Sequence, residues 1–113
     1  MAQLYDAIFE MKTTINVTNQ AFNTDNESVA LLDYAKAYTV FEQVKNLRYM
    51  GIIMNNIGVL HFRSKRYAMA ANAFQESIEL FKQTRSEETT RNAAILYGIR
   101  MYQKGLSLYY QSV

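Results

Sequence analysis

The feature that most limits the fold of this chain is an internal repeat. Displacing the sequence by forty residues superimposes Ala30 on Ala70, Tyr34 on Phe74, Ala37 on Ser77, Phe41 on Phe81, Gln43 on Gln83, Lys45 on Arg85 and Gly58 on Gly98. The same displacement places Asn16 on Asn56, Val17 on Ile57 and Phe22 on Phe62. One frame spans the chain, which implies a row of similar units, each burying an apolar face against the next.

The unit is helical. Proline is absent and glycine occurs only four times in 113 residues, so short polar clusters alone divide the chain. Between them apolar residues recur at helical spacing: Leu4, Ile8, Met11, Ile15 and Phe22, then Leu31, Tyr34, Ala37, Tyr38 and Phe41. Met50, Met54, Ile57, Leu60 and Phe62 mark a third helix, Tyr67, Ala70, Phe74, Ile78 and Phe81 a fourth, and Ala94, Tyr97, Met101 and Tyr102 a fifth. After Gln103-Lys104-Gly105, the segment from Leu106 reads as the start of a sixth. Thr24 and Glu27 have the spacing of a capping box, Ser64 is the expected N-cap of the fourth helix, and Thr84 or Ser86 that of the fifth. The expected fold is all-α, with short connections that make consecutive helices antiparallel.

Small residues set the spacing. Gly58 costs about 1 kcal/mol in helix propensity relative to alanine, so its place within a helix calls for a packing reason, and Gly98 is in the same position. Ala70, Phe74 and Ser77 fall on one stripe, repeated as Ala30, Tyr34 and Ala37. Small, large, small is a shape suited to a closely approaching helix.

Asn56-Ile57-Gly58, followed by Phe62, Tyr67, Ala70, Phe74 and Ser77, resembles the signature of the tetratricopeptide repeat (TPR). The resemblance implies helix pairs stacked as a right-handed α-α superhelix, here about five helices and part of a sixth, in one domain over 1–113 with units near 1–50, 51–90 and 91–113. The residues it assigns to packing between repeats are Ala30, Tyr34, Ala37, Ile57, Gly58, Tyr67, Ala70, Phe74, Ser77 and Gly98. Two departures stand out: no proline closes each unit, and the period is forty in place of about 34. Without a breaker the second helix of a unit can run on, and six more residues would add roughly 9 Å.

The resemblance also implies that the first helix of each unit lines a concave face that holds a protein or peptide. In register, that face takes Lys12, Ile15, Asn16, Asn19 and Asn23 from the first unit and Ile52, Asn55, Asn56, Val59, Phe62 and Arg63 from the second. Asn92, Ile95, Ile99 and Tyr102 come from the third. Asn16 and Asn56 could pair with the backbone of an extended peptide, since an amide both donates and accepts, or could instead bond neighbouring helices. Leu96 interrupts the series, and the basic set by which some members grip a terminal carboxylate is replaced by Ile52, Asn55 and Asn56.

Other functions lack support in the residues. There is no glycine-rich loop, no cysteine and a single histidine, His61, which lies in a packing stripe; no enzyme, cofactor or metal is expected. A net charge of +2 does not argue for nucleic acid, and the turn Arg63, Lys65, Arg66 reads as a solvated connection. No run approaches the length of a membrane span, and the sequons at Asn16 and Asn26 read as coincidental, which favours the cytoplasm. The apolar end around Tyr109 and Tyr110 suggests a fragment or subunit of something larger, or self-association through the last helix. An interaction scaffold is the expected function, with a structural subunit or an RNA-binding repeat as alternatives.

Overall fold

The computed structural model describes residues 27–84 and 88–113. They form four helices: α1 (Glu27–Gln43), α2 (Leu47–Arg63), α3 (Tyr67–Lys82) and α4 (Glu88–Ser112), with no strand among the described residues. The helix expected from Leu4 to Phe22 lies outside them, as do Lys12, Ile15, Asn16, Asn19 and Asn23.

Each helix packs on the next in sequence. Further contacts set two layers: Tyr38 of α1 donates to Glu76 of α3 at 3.3 Å, and Lys104 of α4 lies 5.4 Å above the Phe62 ring of α2. Thus α1 and α3 are neighbours on one side, α2 and α4 on the other.

Burial follows the small-large-small pattern. Ala30, Tyr34, Ala37 and Phe41 form the single buried stripe of α1 and meet Met50, Ile53 and Leu60 of α2. In α3 the equivalent stripe of Ala70, Phe74, Ser77 and Phe81 is joined by Ala71, Ala73, Ile78 and Leu80, because this helix has a neighbour on either side. A Cβ on Gly58 would lie 2.8 Å from the Phe74 ring and one on Gly51 3.1 Å from Phe81, so α2 and α3 approach through glycine. On the far side, a Cβ on Gly98 would come within 2.7 Å of Ile78. The buried Ser77 hydroxyl donates to the Gly51 carbonyl at 2.7 Å, a bond that this close approach allows.

Two connections share one backbone design. Lys45 and Lys65 have positive φ (55° and 62°). The amides of Lys45 and Asn46 donate to Glu42 and Phe41, as those of Lys65 and Arg66 donate to Phe62 and His61. This is the Schellman arrangement, with lysine where glycine is usual. Its last residue, Asn46 or Arg66, also begins the next helix, and these two N-caps stand twenty residues apart. Two such steps make the forty-residue period.

Three expectations require correction. Ser64 is the C-cap of α2, while the N-cap of α3 is Arg66, whose side chain makes no capping bond. Thr84 closes α3, donating its hydroxyl to the Phe81 carbonyl at 2.8 Å. No sixth helix follows Gly105, because α4 continues to Ser112. Gln103 and Lys104 are good helix formers, and Gly105 has no positive φ; a Cβ added there would lie 3.4 Å from the Tyr67 carbonyl and 3.6 Å from Ala71, an ordinary contact. Glycine here is buried within the helix and does not stop it.

Candidate interaction surface

The side of α2 not taken by its core stripe carries Ile52, Asn55, Asn56, Val59 and Phe62, all half-buried, and ends at exposed Arg63. Their spacing places them along one side of the helix. On α4, Ile95, Ile99 and Tyr102 are half-buried and Asn92 is exposed. Phe62 joins the two helices, with Tyr67 edge-on at 5.4 Å between ring centres and the Lys104 ammonium above its face. The structure therefore brings the α2 and α4 parts of the expected face into one layer.

Asn56 has a neighbour of its own. Its amide lies by the buried hydroxyl of Tyr34, outside strict hydrogen-bond geometry, so that hydroxyl has no formal partner. Burial pushes the Tyr34 pKa up to about 12, with Asn56 and the charge of Arg63 acting weakly in the opposite direction. Asn55, one residue away, is turned about 100° around the helix from Asn56 and is likewise half-buried.

At the turn between α2 and α3, side chains are tied across the fold. Glu27, at the start of α1, accepts from Ser64 and pairs with Arg66, whose Nε donates to His61 Nδ1 at 2.9 Å. Burial lowers the His61 pKa, and a neutral ring is also what accepting from arginine requires. His61 is a buried structural acceptor. Glu27 thus reaches the second turn, while Thr24, its expected capping partner, lies outside the described residues.

Beside this turn is a shallow hollow of about 300 Å³, lined by Lys65, Arg66, Tyr67, Ala68, Met69, Tyr109 and Ser112. Met69 is 51% exposed and Tyr109 37%. The end of α4 and the start of α3 form its walls. None of the described residues that line it is acidic.

Charge is divided between the layers. No aspartate or glutamate occurs from 43 to 75 or from 89 to 113, so α2 carries Arg48 and Arg63, and α4 carries Arg91, Arg100 and Lys104, without an acidic neighbour beyond Glu88 in either helix. Glu27, Asp33, Glu42, Glu76 and Glu79 all belong to α1 and α3, with Lys36 and Lys82. Whole-chain charge hides this division, which becomes visible when the sequence is divided at its turns. Among the described residues no group of three or more His, Cys, Asp or Glu side chains could hold a metal ion, and no helix is long and apolar enough to cross a membrane. No protein-family model, curated protein or solved structure matches the chain.

Proposed function

We propose that the chain is a protein-interaction scaffold of tetratricopeptide type, whose α2 and α4 are the inner helices of a right-handed superhelix. Such a scaffold, acting in the cytoplasm without chemistry of its own, would hold an extended protein segment along Ile52, Asn55, Asn56, Val59 and Phe62, continued by Ile99 and Tyr102. The observation that carries this reading is that α1 and α3 take the buried stripes of α2, while this row stays half-exposed beside α4. A photo-crosslinking amino acid at Val59 is expected to capture a discrete protein from cell extract, and the same group at exposed Gln75 of α3 is not. Capture from Gln75 alone would place the interaction on the other layer.

A second reading, a structural subunit of a larger assembly, draws on Leu96, Tyr97 and Tyr110, exposed on α4 by 49, 44 and 72%. Sedimentation distinguishes the two. A monomer at micromolar concentration favours the scaffold, and a stable oligomer that is lost on Leu96→Ser and Tyr110→Ser substitution favours the subunit.

A further inference from the structure

Resting on the scaffold reading, we infer that the partner is an acidic polypeptide segment and that it docks at the end of the α2/α4 layer, where the hollow opens. The division of charge comes first. A segment rich in carboxylates meets only cations on α2 and on α4 from Arg91 onward, but meets Asp33, Glu42, Glu76 and Glu79 on α1 and α3. Opposite potentials guide encounter and fix the docking face, and like charges on the other layer reject the wrong one.

Cations converge at one end. Arg63, Lys65 and Arg66 leave the end of α2, and Lys104 joins them from α4 through its position over Phe62. Among the described residues Glu27 is the carboxylate that reaches this turn, and its oxygens are already engaged by Ser64 and Arg66. Exposed Lys65 lines the hollow and exposed Lys104 lies over Phe62, which packs on Tyr67 of its lining; neither forms an ion pair among the described residues. The hollow itself adds exposed apolar surface, Met69 and Tyr109 over Ala68, of a size that receives one aliphatic or aromatic side chain. Carboxylates flanking an apolar residue are the chemistry that matches this combination.

RNA fits less well. Beside the basic turn the Phe62 ring is engaged, with Lys104 over its face and Tyr67 at 5.4 Å, so it offers no open face to a base. The whole chain has a net charge of only +2, and its second layer is acidic.

The test uses a fluorescein-labelled peptide of glutamates flanking leucine and phenylalanine, its counterpart with lysine for glutamate, and a single-stranded RNA of equal length. Binding is read by anisotropy with the full chain. The acidic peptide is expected to bind and to weaken as salt rises, and the lysine peptide is expected not to bind. Lys65→Glu with Lys104→Glu is expected to lower affinity by about tenfold or more. Lys36→Glu with Lys45→Glu makes the same change of net charge away from the hollow, including one substitution at a positive φ, and is expected to leave affinity unchanged. Circular dichroism establishes that both variants are folded.

Equal loss in the two double variants would reduce the effect to net charge and overturn the proposal. Tighter binding of RNA than of the acidic peptide would also overturn it. If neither peptide binds while crosslinking at Val59 still captures a protein, the acidic partner falls and the scaffold stands. If Val59 captures nothing, the scaffold reading itself falls.

Discussion

α2 meets its two neighbours in opposite ways. Against α1 the space is filled by large side chains: Tyr34, Phe41, Ile53 and Leu60 interlock, and Phe41 stacks on Tyr49 with ring centres 4.8 Å apart. Against α3 the space is removed, because Gly51 and Gly58 let the backbone come up to Phe81 and Phe74. A filled contact suffers when a side chain is shortened. At the glycine contact the first added methyl already meets a ring, so lengthening a residue of α2 should be penalised there most directly, in addition to the cost of shortening that both interfaces share.

The strongest way to break the glycine interface is Phe74→Ala, which removes a fully buried ring touching Gly58 and lying near Tyr97. A loss of about 3–5 kcal/mol in urea unfolding is expected. Next comes Gly58→Ala. Alanine gains about 1 kcal/mol in helix propensity, but its methyl would sit 2.8 Å from a ring that has no exposed side to yield toward. Overpacking of this kind costs about 1–3 kcal/mol, so a net destabilisation is expected. An unchanged or raised urea midpoint would mean that α2 and α3 can separate freely, which would dissolve the contrast.

The two turns provide a smaller test. Lys45 closes the filled pair and Lys65 the glycine pair, each at a positive φ that lysine tolerates poorly. Lys45→Gly and Lys65→Gly should each stabilise by about 1 kcal/mol in thermal unfolding. Unequal gains would show that the backbone design is shared while its surroundings are not: Asn46 caps locally by accepting from the Tyr49 amide at 3.2 Å, whereas Arg66 is held by Glu27 and His61.

Tyr34→Phe should have the least effect at neutral pH, since the hydroxyl it deletes is buried without a formal partner. Its effect appears in alkali. The Tyr34 pKa is raised in the fold, so the stability it contributes is complete below its ordinary value of 10.0 and is lost as pH rises toward about 12. The phenylalanine variant should unfold less readily than the parent across that interval, as followed by circular dichroism.

Helical spacing made α1 to α4 legible in the sequence because apolar periodicity is a local property, and the glycines were legible as costs needing a reason. Asn46 was not singled out, although asparagine directly before an apolar run is a usable N-cap signal. Ser64 misled for the opposite reason: its hydroxyl bonds Glu27, thirty-seven positions away, and spacing along a helix carries no information about such a partner. Gly105 misled because glycine occurs both at helix ends and within helices, and the backbone angle that decides between them is not written in the spacing. The row on α2 could be assigned from register, but the layer that unites it with α4 depends on Phe62 and Lys104, forty-two residues apart. The hollow could not be foreseen at all, since it needs the end of α4 to come beside the start of α3.

The three-residue turns also bear on how quickly the chain can reach its structure. Each brings a helix back along the one before it, so most packing partners are separated by little more than one helix and one connection, and the entropy lost in closing each loop is small. Such a low contact order favours folding in milliseconds or less, with order spreading outward from whichever helix pair forms first. The α2–α3 pair, which combines two glycine contacts with a buried hydrogen bond between its helices, is the natural nucleus, and α1 and α4 would then add to its two sides as independent late steps.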